Sequence, residues 1–172
     1  LRSFYDQNEA GRLPQIIADL QAGKQIALVS DAGMPTLSDP GYKLVRACRE
    51  QGLEVTALPG SSSIITALAL SSAPRQKFLF IGYLPRKTTA CKKALEDLKS
   101  WNCAVVAFES PFRVVASLKI AQEVFGNVSV TIARELTKKF EEVLELPLDQ
   151  AITRYHTYTP KGEFTLVFSL QK

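Results

Sequence analysis

Ser30-Asp31-Ala32-Gly33-Met34-Pro35-Thr36-Leu37-Ser38-Asp39-Pro40-Gly41 stands between an apolar run, Ile26-Ala27-Leu28-Val29, and a segment carrying Leu44, Val45 and Cys48 at helical spacing. A strand–loop–helix junction of this kind lies at the carboxyl end of a strand, where open α/β sheets hold their ligands. Ser30, Ala32 and Gly33 are small enough for a ligand to approach the backbone. Asp31 can accept hydrogen bonds from hydroxyl or ammonium groups. Asp39 reads as an N-cap with Pro40 at the first helical position. A plain turn followed by a capped helix needs the same residues, so the stretch points to an α/β fold and leaves its chemistry open.

On the amino-terminal side, Leu13, Ile16, Ile17 and Leu20 form an apolar stripe that predicts a helix over Asn8–Ala22, ended by Gly23. Residues 24–30 read as a buried strand, 39–51 as a helix stopped by Gly52, and 53–58 as a second strand. Pro59-Gly60 then turns the chain into a helix over Ser61–Ser72. Its first serines can cap it, or offer hydroxyls beside free N–H groups to a polar ligand. Ser71-Ser72-Ala73-Pro74-Arg75-Gln76 has linker composition.

Beyond the linker, Phe78–Tyr83 reads as a strand and Leu84–Thr89 as a loop. The next helix sets Cys91, Ala94, Leu95, Leu98 and Trp101 on one face. Cys103–Phe108 is a continuous apolar strand, and Ser110-Pro111 starts a helix over Phe112–Phe125. Val128–Ala133 and Phe140–Leu146 are further strands, Pro147–Tyr155 a short helix, and Glu163–Leu170 a closing strand. Strands alternating with helices imply parallel or mixed sheets covered on both faces. We therefore expect two α/β domains: residues 1–76, and residues 77–172 with a mixed sheet of about five strands.

Composition excludes several classes. The 172 residues are 46% hydrophobic and 22% charged, which is ordinary for a soluble globular protein. No apolar run approaches the roughly 18 residues that span a bilayer, and residues 1–20 are unlike a signal peptide. Three cysteines without a CxxC spacing and a single histidine provide neither a disulfide framework nor a zinc site. A reducing cytoplasm is the simplest compartment. The net charge of +4 permits an anionic partner without demanding one.

The Ser30–Gly41 stretch resembles the SDAG-x-P-x-x-SDPG signature of the bacterial small-subunit ribosomal RNA cytidine 2′-O-methyltransferases. Further matches follow in the same order: Pro59-Gly60, Gly82-Tyr83-Leu84-Pro85-Arg86-Lys87, Glu109-Ser110-Pro111-Phe112-Arg113, the run Ala133–Glu142, and Lys161-Gly162-Glu163-Phe164. Ser3–Glu9 is similar to a family segment reading SYHEHNE, but Tyr5 and Gln7 stand where it has histidines, so no histidine chemistry carries over. The resemblance implies a two-domain tetrapyrrole-methylase-like fold with S-adenosylmethionine in the cleft between the domains. It implies ribosomal RNA or the small ribosomal subunit as partner, homodimerisation, and no membrane. The family opens with a strand and a glycine-containing cofactor loop that do not precede Leu1, so the amino-terminal domain is expected to be incomplete.

Methyl transfer from a sulfonium is an in-line displacement that needs no metal; the protein binds the donor, orients the acceptor oxygen and helps remove its proton. Loop carboxylates Asp31, Glu109, Glu135 and Glu141 could do the last, and Glu109, Arg134, Glu135 and Lys138 are the expected catalytic group. Arg134 with Glu135 reads equally well as a structural ion pair. The resemblance places donor contacts at Ser30, Asp31, Ala32, Gly33, Ser62, Phe108, Ala133 and Gly162. Arg86, Lys87, Lys92 and Lys93 form a basic edge suited to RNA phosphate or simply to solvent, and Arg113 is a further expected RNA contact. Two other functions stay open: a methylase of the same fold acting on a tetrapyrrole, and a non-catalytic binding or dimerisation fragment.

Overall fold

A computed structural model describes residues 1–74, 76–158 and 160–170; Arg75 of the expected linker lies outside them. The chain divides into two compact units, Leu1–Ser62 and Ser63–Lys172. This division precedes the expected 76/77 boundary because helix α3 (Ser63–Ala69) buries Ile64, Ala67 and Leu68 with the sheet residues of the second unit.

The second unit is built on five strands: β1 (Phe78–Tyr83), β2 (Ala104–Glu109), β3 (Ser129–Arg134), β4 (Glu142–Pro147) and β5 (Phe164–Ser169). Their order is β1-β2-β5-β3-β4; β1 and β2 are parallel, and the remaining neighbours are antiparallel. The mixed sheet expected from the sequence is therefore present. Alternate side chains point to opposite faces. Val105, Ala107, Ile132, Leu166 and Phe168 pack with α4 (Thr88–Leu98), α5 (Val114–Phe125) and α6 (Leu148–His156). Ala104, Val106, Ala133 and Val167 face the other way, under α3. Burial on both faces explains why β2 reads as an unbroken apolar run. Helix α4 stops at Leu98, so Trp101, expected on its buried face, is exposed instead.

In the first unit, α1 (Asp6–Gln21) and α2 (Tyr42–Glu50) bury Ile16, Ile17, Leu44 and Cys48 against one another. Segments 24–30 and 53–58, expected as strands, belong to no ladder among the described residues. A strand exists only where a neighbour takes up its backbone N–H and C=O groups. Without one, Ile26, Val29 and Leu58 are exposed, at 44%, 74% and 86%. Helix α2 also begins later than expected: its N-cap is Gly41, not Asp39. No described helix is long and apolar enough to cross a membrane.

Candidate functional site

The sheet gathers four sequence motifs at one end. Strands β1, β2 and β3 finish there at Tyr83, Glu109 and Arg134, and antiparallel β5 starts there at Phe164, opposite both Glu109 and Arg134. The loops Leu84–Lys87, Ser110–Arg113, Glu135–Glu141 and Lys161–Glu163 consequently share one rim.

On this rim Glu135, Lys138 and Glu163 form a charged group. Glu135 Oε1 accepts the Glu163 N–H at 2.9 Å and faces Lys138 Nζ at 3.1 Å, while Lys138 Nζ also reaches Glu163 Oε2 at 2.8 Å. The backbone takes left-handed angles at Glu135 (φ 49°) and Thr137 (φ 65°). Glu141 holds that turn by accepting the Thr137 N–H at 2.5 Å. The Glu163 backbone N–H, then Lys138, hold the Glu135 carboxyl below its ordinary range. The carboxylates of Glu163 and Glu135 push the Lys138 ammonium up. Both groups are therefore charged at neutral pH, and Glu135 is a poor proton acceptor there. Gly162 borders the same group at φ +96°: a Cβ placed on it would lie 2.5 Å from Glu135 Cδ and 2.7 Å from Oε1. The close approach that this glycine permits is that of the Glu135 side chain.

Arg134 pairs with Glu142, not with Glu135: its Nε lies 3.3 Å from Glu142 Oε2, and its Nη1 donates to the Lys161 carbonyl at 3.1 Å. Arg154 and Tyr155 donate to the same Glu142 carboxylate at 2.7 Å each. Burial opposes the charge on Glu142, but these two hydrogen bonds keep its carboxyl below the usual range. Burial, then Glu142, pushes the Tyr155 hydroxyl far up.

Glu109, expected among the catalytic groups, is enclosed. Its side chain is fully buried, with Oε1 facing Arg113 Nη2 at 2.5 Å and accepting the Ser110 N–H at 2.6 Å. Ser117 Oγ donates to Oε2 at 2.5 Å. Arg113 is drawn inward by this pair and donates to the Leu84 carbonyl at 3.0 Å, which ties the Ser110–Arg113 loop to the Leu84–Lys87 loop. Lys92 faces Glu123 at 3.4 Å. Arg86, Lys87 and Lys93 are left as the exposed cations of this edge without an ion-pair partner among the described residues. Beside them stand two aromatic rings that the sequence reading did not single out, Phe112 at 85% exposure and Tyr83 at 56%. An aromatic after Ser-Pro at a strand end was the available signal.

In the first unit, the Ser30–Gly41 loop lies against the Pro59-Gly60 turn. A Cβ on Gly60 would meet Met34 Sδ at 2.8 Å, and one on Gly33 (φ +75°) would sit 3.4 Å from the Ser61 carbonyl. Ser30 Oγ donates to the carbonyls of Ala32 and Gly33 at 3.0 and 2.8 Å, folding the loop entry on itself. Asp31, Ala32 and Gly33 remain exposed.

A family model described as Tetrapyrrole (Corrin/Porphyrin) Methylases matches residues 3–152. A ribosomal RNA small subunit methyltransferase I of Thermotoga maritima is 42% identical over 169 residues, covering 98% of this chain and 76% of that protein. The chain belongs to this branch of the tetrapyrrole methylase family. A relative of the same name in Halalkalibacterium halodurans is 41% identical over 97% of this chain, which spans only 58% of its length. Among solved structures, the methyltransferase CobJ has a TM-score of 0.69 at 18% identity, over 94% of this chain and 71% of that one. Uroporphyrin-III C-methyl transferase from Thermus thermophilus, complexed with S-adenyl homocysteine, has a TM-score of 0.64 at 12% identity, over 97% and 76%. These likenesses establish the tetrapyrrole-methylase fold.

Within that fold, the expected residues sort by their surroundings. Ser30, Asp31, Ala32 and Gly33 share one loop, and Ser62 follows Ser61, whose carbonyl borders Gly33. Phe108 stacks edge-on with Phe80 and Tyr83, at centroid distances of 4.9 and 5.6 Å. Ala133 spends its side chain on the core beneath α3. Arg134, Glu135, Lys138 and Gly162 meet on the rim, whereas Glu109 is sealed beneath it.

Proposed function

We propose that the protein transfers a methyl group from S-adenosylmethionine to the ribose 2′-hydroxyl of a cytidine in small-subunit ribosomal RNA. The observation that carries this reading is the 42% identity to a ribosomal RNA small subunit methyltransferase I over nearly the whole chain. Homodimerisation belongs to the same reading and rests on the resemblance of the motifs, whereas a cytoplasmic compartment rests on the cysteine usage.

The first-unit loop suits a donor of this kind. Its exposed small residues admit close backbone approach, and the Asp31 carboxylate suits an ammonium or ribose hydroxyls. Bound S-adenosylmethionine supplies an electrophilic methyl group on a sulfonium. Lys138 stays protonated beside Glu135 and Glu163, so its ammonium can stabilise negative charge developing on an acceptor oxygen. Glu135 holds that ammonium in place; the methyl–sulfur bond breaks as the methyl–oxygen bond forms, and the hydroxyl proton passes to solvent water.

Arg86, Lys87 and Lys93 supply phosphate contacts, and Phe112 supplies a ring on which an unpaired base can stack. Neutralising the three cations together is expected to flatten the plot of log K against log salt by roughly 2, at about 0.7 per contact for single-stranded RNA. Phe112→Ala is expected to weaken binding by about 1–3 kcal/mol without changing that slope. Filter binding of a single-stranded RNA segment across a salt series measures both, and an unaltered slope in the triple variant would remove this edge from the RNA path.

A further inference from the structure

We propose that Glu9 is a positioning residue for methyl-donor binding: its buried carboxylate, carried on α1, holds the Ser30–Gly41 loop in its receiving conformation. The proposal rests on the donor reading of that loop.

Glu9 is only 4% exposed. Its Oε1 accepts the Gly41 N–H at 3.1 Å, and its Oε2 faces Lys43 Nζ at 3.2 Å. Gly41 ends the loop as the N-cap of α2, and Lys43 lies in the first turn of that helix, 32 and 34 positions along the chain. A buried carboxylate is expensive unless paired, and an apolar residue at this position would avoid that cost. Holding α1 on α2 does not require it, because Ile16, Ile17, Leu44 and Cys48 already form an apolar seam. The carboxylate is thus directed at the loop.

The loop needs such an anchor. Four of its residues have left-handed backbone angles: Gly33 (φ 75°), Thr36 (φ 78°), Ser38 (φ 62°) and Gly41 (φ 124°). Threonine at positive φ is a steric outlier, and strained backbone persists only where its surroundings over-determine it. The entry is tied locally by Ser30 Oγ. At the exit, Gly41 is packed so closely that a Cβ would lie 2.5 Å from Leu28 Cδ2 and 3.1 Å from Thr36 Cγ2. At that closely packed residue Glu9 takes up the backbone N–H.

The test uses the full-length protein and three variants, Glu9→Ala, Glu9→Gln and Ile17→Ala. S-adenosylmethionine is titrated by calorimetry well below the unfolding temperature, and KM is measured separately for donor and RNA. Loss of a hydrogen bond to a charged group predicts a rise of at least about 10-fold in donor Kd and donor KM for Glu9→Ala, with RNA KM unchanged. Glutamine keeps an acceptor for the Gly41 N–H, so Glu9→Gln should stay within about 3-fold of the parent. Ile17→Ala weakens the same helix without touching the loop and should leave donor Kd unchanged. If Glu9→Ala does not fold, Glu9→Asp replaces it, since the shorter side chain keeps the charge but withdraws from Gly41. Unchanged donor affinity in the Glu9 variant, or equal weakening in Ile17→Ala, overturns the proposal. Gly33→Val separates the two levels: if it too leaves donor affinity intact, the donor reading of the loop falls. If it abolishes binding while the Glu9 variant does not, only the role of Glu9 falls.

Discussion

Gly162→Ala is expected to lower kcat/KM for methyl transfer by about 100-fold or more, because displacement of a positioned group by an ångström costs that much. The added methyl would occupy the space of the Glu135 carboxylate, which would leave Lys138 and the Glu163 N–H. A non-glycine residue at φ +96° adds strain of about 1–3 kcal/mol, so the protein should remain folded with a moderately lower melting temperature. A double-mutant cycle identifies the cause: in a Glu135→Ala background, Gly162→Ala should cost far less, because the two residues act through one contact. Full activity in Gly162→Ala would detach this rim group from the reaction. Undiminished cost in the Glu135→Ala background would return Gly162 to direct contact with the donor.

Glu109→Ala is expected to act on stability. Removing one member of a buried ion pair costs about 3–5 kcal/mol, since Arg113, Ser117 and the Ser110 N–H lose their shared acceptor. For a unit of this size that corresponds to a fall in melting temperature of roughly 15–25 °C, read by far-ultraviolet circular dichroism. Glu109→Gln keeps an acceptor and should lose less. A Glu109→Ala protein with parental melting temperature and no activity would make Glu109 a chemical participant after all.

The second unit was legible because β2 is a continuous apolar run, its other strands are rich in apolar and β-branched residues, and its helices carry 3.6-residue stripes; each was expected within a few residues of its place. The first unit was less so. Residues 24–30 and 53–58 have strand composition, but pairing depends on a neighbour, and none among the described residues pairs with them. Asp39 looked like a helix cap, yet the φ of 124° at Gly41 starts α2 there. The rim group was visible as a charged cluster, while its pairings were not. Arg134 finds Glu142 across the β3–β4 ladder, eight residues away, and Glu135 finds Lys138 and Glu163. The enclosure of Glu109 depends on Ser117 and Arg113 on the following turns, and that of Glu9 on a loop 32 residues distant. Such partners follow from tertiary packing, which spacing along the chain does not encode.

The most direct measurement is transfer of labelled methyl from S-adenosylmethionine by the full-length protein to small ribosomal subunits or their RNA, followed by digestion to nucleosides. Label is expected in 2′-O-methylcytidine and is expected to be lost in Gly162→Ala. No label in the RNA, or label on a base rather than the ribose, would contradict this reading.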